Sequence, residues 1–82
     1  MKRQRIGTVR LQEGGDILYY YLLGSRREGY GLEVVRHVSG QMTRERCEKI
    51  SRSRQKVLTL GKAVFRGIVF PGFLSEIVEE WK

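Results

Sequence analysis

Between Lys49 and Ser75 the chain has no carboxylate at all, although its 82 residues include nine Asp and Glu. The same stretch holds six cations, Lys49, Arg52, Arg54, Lys56, Lys62 and Arg66. A helix that merely faces water usually mixes signs, because acid and base four residues apart attract and like charges repel. A basic stretch without acids points instead towards an anionic partner.

Cysteine and histidine occur once each. Cys47 alone cannot close an internal disulfide, and one thiol with one imidazole is too few for a zinc site, so a reduced, cytoplasmic setting without metal or cofactor is expected. Long apolar runs are missing too. The longest, Ile17 to Leu23, has seven residues, against roughly 20 for a spanning helix, so no membrane span is expected. The basic opening Lys2, Arg3 and Arg5 looks like the start of a secretion signal, but Arg10, Glu13 and Asp16 interrupt the apolar stretch that must follow. Enzyme signatures are absent as well: there is no Gly-rich phosphate loop ending in Lys and Ser or Thr, no serine elbow and no histidine pair at metal spacing. A non-enzymatic protein is expected.

What is present suits one small domain over residues 1–82, with residues 1–5 as a flexible basic arm. The chain is 40% hydrophobic with a net charge of +7, enough apolar surface for a core and a balance that favours nucleic acid, an anionic membrane surface or an acidic protein. Residues 4–12, 17–24 and 30–38 are rich in Val, Ile, Leu and Tyr and read as strands. Glu13-Gly14-Gly15-Asp16 and Gly24 to Gly29 separate them with strong turn compositions, and Ser39-Gly40-Gln41 supplies a third turn. Residues 42–50 alternate loosely and fit either a short fourth strand, the preferred reading, or the start of a helix.

Ser51 or Ser53 can cap a helix beginning near Arg52, since a serine oxygen accepts an N–H of the first turn. Val57, Leu58, Leu60, Gly61, Val64 and Phe65 gather on one side of it, and Gly67 ends it. Gly61 within that stripe would let the helix approach the sheet closely. After Pro71 and Gly72, the spacing of Leu74, Ile77, Val78 and Trp81 predicts a short terminal helix. The expected fold is α+β, an antiparallel meander of three or four strands followed by two amphipathic helices packed on one face. The other face is left partly open.

Tyr19-Tyr20 in a strand, Tyr30-Gly31 opening the next, Ile50-Ser51 before an amphipathic helix, and Pro71, Leu74, Val78 and Trp81 near the end together resemble a family of small uncharacterised Firmicutes proteins. The resemblance covers residues 17–82. It implies the element order and assigns no activity.

On the predicted helix, Arg52, Lys56, Lys62 and Arg66 lie opposite the apolar stripe and share one face without an acid. Such a stripe supplies salt-dependent, sequence-independent affinity for phosphates; a solvated helix face shows the same pattern. Arg26 and Arg27, at a hairpin tip, can fork onto phosphate oxygens, although turns also tolerate charge for no further reason. In the second strand Tyr19 and Tyr21 point one way and Tyr20 the other. If one pair lies on the open face, it can stack bases or form the centre of a protein interface. His37 has no acidic or nucleophilic partner in sequence, and Cys47 between Arg46 and Glu48 is either idle or lowered in pKa by its neighbours.

A helix-turn-helix is excluded because its second helix would carry Glu76, Glu79 and Glu80 towards phosphate. The expectation is a binding protein that engages nucleic acid or a ribonucleoprotein through Arg52, Lys56, Lys62 and Arg66, with Arg26 and Arg27. The alternative is a regulator, an inhibitor or adaptor, that occludes another protein's acidic or nucleic-acid-binding surface using the open sheet face and Tyr19 or Tyr21.

Overall fold

Turn chemistry and strand alternation set the order of the elements. The computed structural model describes residues 2–11 and 15–82. It places four strands, β1 (Arg3–Arg10), β2 (Ile17–Ser25), β3 (Gly29–Val38) and β4 (Gln41–Ser51), ahead of two helices, α1 (Arg54–Arg66) and α2 (Leu74–Trp81). The strands form one antiparallel sheet in the order β1-β2-β3-β4, so the fold is α+β and residues 42–50 belong to a fourth strand. Arg3 and Arg5 lie inside β1 rather than in an arm ahead of the sheet, because Arg3 pairs with Leu23 and Arg5 with Tyr21. Lys2 joins them through its carbonyl, which accepts the Gly24 N–H at 2.9 Å.

Of the three expected turns, the Glu13 and Gly14 positions lie outside the described residues; beside them Leu11 N–H donates to the Asp16 carbonyl at 2.9 Å. Arg26, Arg27 and Glu28 make the β2–β3 tip, with Ser25 and Gly29 paired across its base. At the β3–β4 turn Ser39 and Gly40 have φ of 46° and 79°. Both central residues are left-handed there, the primed turn whose twist suits a two-residue hairpin.

Ser53, not Ser51, caps α1, its Oγ accepting the Lys56 N–H at 3.2 Å. Ser51 still pairs with Tyr30 in the sheet, so the strand runs two residues short of the cap. Arg52, expected in the first helical turn, therefore sits in the bend before α1. One face of the sheet carries Leu18, Tyr20 and Leu22 of β2 and Leu32 and Val34 of β3, packed against Val57, Leu60 and Val64 of α1 and Leu74 and Val78 of α2. Each fully buried aliphatic side chain of this kind stabilises by about 1.5 to 3 kcal/mol. Gly61 meets its expectation: a β-carbon there would stand 2.5 Å from Ile6 Cδ1 and 2.8 Å from Leu32 Cδ2. Tyr20 fits this core by donating its hydroxyl to the Val69 carbonyl at 3.0 Å, and burial pushes its pKa up to about 12. Trp81 departs from the expected stripe. It is 41% exposed and stands beside Ile50, Gln55, Lys56 and Thr59 at the rim between α1 and α2.

The terminal helix is capped from a distance. Phe73 precedes α2 and has no capping side chain. The Glu45 carboxylate of β4 takes that role, accepting N–H groups from Gly72 at 2.7 Å, Leu74 at 2.8 Å and Ser75 at 3.1 Å. Burial pushes the Glu45 pKa up, but the bonds from Leu74, Gly72 and Ser75 outweigh it and hold the group below its ordinary value of 4.5. A folded value below the unfolded one means the stabilisation is complete above that range and is lost as pH falls through the folded value. Replacing the carboxylate with an amide, Glu45→Gln, should cost about 1 kcal/mol at neutral pH, the usual worth of a helix cap. Hydrogen exchange at Ile77 and Val78 reads the effect: α2 should lose protection at pH 7 in the variant and on acidification in the natural chain. Unchanged α2 protection in Glu45→Gln would overturn the capping role.

Candidate nucleic-acid interface

Strand alternation sends every second side chain to the face away from the helices. Across that face Tyr21 pairs with Arg5 on one side and Glu33 on the other, and Glu33 pairs with Arg46. In the next row Tyr19 lies between Thr8 and Val35, with Arg44 beyond. A third row joins Arg10, Ile17, His37 and Met42. Two tyrosines thus occupy an inner strand while arginines line both edges. At about 4.8 Å per strand, the β1 and β4 arginine columns stand about 14 Å apart.

A bulge makes the β1 column possible. The register shifts between Arg5 and Gly7, where Arg5 pairs with Tyr21 and Gly7 with Tyr20, leaving Ile6 as the extra residue. Without it, strict alternation would put Arg10 on the face opposite Arg3 and Arg5. With Ile6 turned into the core against Gly61, all three arginines share the open face.

Glu33 lies at the centre and its side chain is 0% exposed. A carboxylate stripped of water is strongly unfavourable unless it is paired and hydrogen-bonded. Arg46 donates to its Oε2 through Nε at 3.0 Å and Nη2 at 2.8 Å, and Arg3 donates to its Oε1 through Nη1 at 3.1 Å. Arg44 Nε stands 3.9 Å away. The bonds to Glu33 push the Arg46 pKa further above its usual value, so that guanidinium stays charged. Among the described residues no buried side-chain polar atom lacks a partner.

The arginines also lie on the rings. Arg3 Cζ is 4.1 Å from the Tyr21 ring centroid and Arg5 Cζ 5.4 Å from that of Tyr19. The two tyrosine rings stack at 6.4 Å and 22°, and His37 meets Tyr19 edge-on at 5.5 Å. Planar π surfaces and planar cations are therefore interleaved, the combination that holds single-stranded nucleic acid by stacking and phosphate contact.

The residues singled out from sequence fall in four places. Tyr19 and Tyr21 are on the open face. Lys56, Lys62 and Arg66 are exposed on the outer side of α1, away from the sheet. Arg27 and Arg52 come together in a concavity with Lys49 and Glu28, whereas Arg26 lines a different cavity with Lys2, Arg3 and Arg54. Sequence reasoning missed Arg3, Arg5, Arg10, Arg44 and Arg46 as a set. The available signal was the spacing of two in Arg3 and Arg5, Tyr19 and Tyr21, and Arg44 and Arg46. Burial, then the Glu45 charge, push the Cys47 pKa up, against a smaller opposing pull from Lys82. Among the described residues no group of three or more His, Cys, Asp or Glu is placed to hold a metal ion, and no helix is long and apolar enough to cross a membrane.

The model of a family of unknown function, DUF6514, matches residues 2–82, a longer span than the residues 17–82 that carry the resemblance. No curated protein and no solved structure matches the chain.

The Glu33 cluster generates a stability prediction. Glu33→Gln removes the charge that holds three arginines while keeping nearly the same volume, and should destabilise by about 1 to 3 kcal/mol. Arg44→Gln, at the longer distance and on a half-exposed side chain, should cost less than about 1 kcal/mol. Urea unfolding at neutral pH separates the two, and equal losses would mean that Glu33 is not the centre of the cluster.

Proposed function

The chain belongs to the family of unknown function DUF6514, so its activity has to be read from its own geometry, and we propose that it is a non-enzymatic protein that binds single-stranded nucleic acid, RNA or DNA, on the open sheet face. The observation that carries this reading is the pair of stacked tyrosines, Tyr19 and Tyr21, set between arginines on both sheet edges. Bases stack on the tyrosines or on the outer planes of Arg3 and Arg5, and Arg10, Arg44 and Arg46 meet phosphates. Arginine suits both tasks, because its guanidinium is flat, permanently charged and carries five donors. Arg46 spends two of those donors on Glu33 and turns Nη1 to Glu48 at 3.6 Å, and Arg3 spends one on Glu33, which leaves the rest for a ligand.

The outer cations of α1, Lys56, Lys62 and Arg66, add to the positive field that draws a polyanion in. They lie on the far side of the sheet from the tyrosines, so the reading gives them steering rather than contact. A protein partner at the same face has less support. The apolar residues of that face, Leu23 and Val35, are only 2% and 3% exposed, so a protein would meet chiefly arginines and tyrosine rings there, without the apolar core of a typical interface.

Fluorescence anisotropy with labelled single-stranded RNA, single-stranded DNA and duplex DNA, at about 50 and about 200 mM salt, tests the proposal. Single strands should bind more tightly than duplex, and the affinity should fall tenfold or more between the two salts, the behaviour of several phosphate contacts. Base stacking is worth about 1 to 3 kcal/mol per base, so Tyr19→Ala and Tyr21→Ala should each weaken binding by about fivefold to a hundredfold. Lys56→Glu with Lys62→Glu should weaken it less than Arg5→Gln with Arg44→Gln. No binding at the lower salt, or full binding by both tyrosine variants, would overturn the reading.

A further inference from the structure

At the hairpin end of the sheet, where β1 starts, β2 turns into β3 and α1 begins, there is an open cavity of about 570 Å³. Lys2, Arg3, Arg26 and Arg54 line it, with Gln4, Leu22, Gly24, Ser25 and Tyr30 as its polar and apolar floor. Four cations meet there, and no carboxylate is among the lining residues that the structure describes. Glu28, the acid of the adjoining hairpin tip, lines the neighbouring concavity with Arg27, Lys49 and Arg52 instead, and its carboxylate takes the Ser25 hydroxyl at 3.3 Å.

The four cations are unequally committed. Arg3 is paired with Glu33. Arg54 donates only to the neutral Gln4 amide oxygen, at 2.8 Å, and Lys2 and Arg26 take part in no ion pair among the described residues. Three like charges around one concavity repel one another, and none of the three is held in an ion pair among the described residues. The helix adds to this excess, since α1 has no acid in its first turn and instead begins with Arg54 and Lys56 at the positive end of its dipole. An arrangement of this kind becomes favourable when an anion fills it.

We propose that this cavity is a site for a dianionic phosphate monoester, the terminal phosphate of a strand held on the tyrosine platform. The assignment rests on the nucleic-acid reading above and specifies which part of the ligand ends here. An internal phosphodiester carries one negative charge, whereas a terminal phosphate carries about 1.5 to 2 at neutral pH and three strong acceptor oxygens. Three cations that belong to no ion pair among the described residues, Lys2, Arg26 and Arg54, suit the latter. Arg3 joins the two regions, since it lies over Tyr21 on the open face and also lines the cavity. The volume, within the usual range for small-molecule sites, leaves room for the attached sugar against Leu22 and Tyr30.

Three oligonucleotides of one sequence test it, one with a 5′-phosphate, one with a 3′-phosphate and one with hydroxyls at both ends. One phosphorylated oligonucleotide should bind about tenfold tighter than the hydroxyl form, the worth of one or two charge-assisted hydrogen bonds. Arg26→Gln with Arg54→Gln should erase that gain, so that the variant binds the phosphorylated and hydroxyl forms equally. In parallel, titration with a nucleoside monophosphate should move the amide resonances of Ser25, Arg26 and Arg54 and leave those of Tyr19 and Tyr21 in place. Equal affinity for all three oligonucleotides would overturn the site and leave the platform standing. A nucleoside monophosphate that binds as tightly as the phosphorylated strand would also overturn the strand-end assignment, the source of the phosphate then being a free nucleotide. If the monophosphate moves those amides but no oligonucleotide binds, the platform reading fails and the strand-end assignment fails with it.

Discussion

A carboxylate with no exposed surface at the middle of the sheet face away from the helices is the constraint from which the rest of this molecule follows. Glu33 belongs to β3, an inner strand, and its partners Arg3 and Arg46 come from the two strands at the sheet edges. Desolvation of the carboxylate would outweigh a single exposed ion pair, so the site is tolerable only when both edges reach it at once. The charge cluster therefore works as a clasp that spans all four strands, where an ordinary meander relies on backbone bonds and neighbour packing. It also fixes register. A slip of β1 or β4 by one residue would turn Arg3 or Arg46 to the other face and leave Glu33 with an incomplete set of donors.

The two faces divide the work of a small chain. Among the described residues ten buried side chains make the core between the sheet and the helices, and none of the described elements covers the reverse face. There Leu23 and Val35 are shielded by long side chains rather than by a second layer of structure, the arginine stems and tyrosine rings supplying the cover. The clasp holds those stems in place. Positioning them costs side-chain entropy once, on folding, and a ligand that meets guanidinium groups already held in position does not incur that cost again. The helix side uses the same device in smaller form, where Glu45 crosses from β4 to gather three N–H groups at the start of α2.

Much of the fold is legible in the sequence because it depends on local signals. Gly24 to Gly29 and Ser39-Gly40 are turn compositions, and the α1 stripe from Val57 to Phe65 keeps its period without interruption. The polar strand β4 is harder to read, since one of its faces carries arginines and the other holds Thr43, Glu45 and Cys47, so no alternation of apolar residues marks it. Arg3 and Arg5 read as a frayed end because their partners lie about 20 residues away and only the pairing with β2 brings them in. The bulge at Ile6 is invisible for a similar reason: it shows only as a mismatch between two strands. Arg52 reads as the start of a helix because Ser51 is as good a cap in sequence as Ser53, but Ser51 is still held by Tyr30 and the helix begins only after Ser53. The candidate site was half legible. Tyr19 and Tyr21 declare a common face through their spacing, whereas the arginines around them are assembled by long-range pairing and by the bulge.

The placement of charge then separates what the fold needs from what it merely carries. Arg36 is needed: two of its nitrogens bond Asp16 Oδ2, at 3.1 and 2.6 Å, and its guanidinium covers Phe70 at 4.9 Å, closing the end of the sheet opposite the hairpin tip. Arg3 and Arg46 are needed for the same reason at Glu33. Arg5, Arg10, Lys2 and Arg26 have no such partner among the described residues, and each adds repulsion to a chain of net charge +7. Solubility alone does not call for that arrangement, since scattered charges of mixed sign serve it equally well. Their concentration along one edge and one end of the sheet, beside stacked tyrosines, is a cost to folding, and the anionic ligand of the proposed function is what would relieve it.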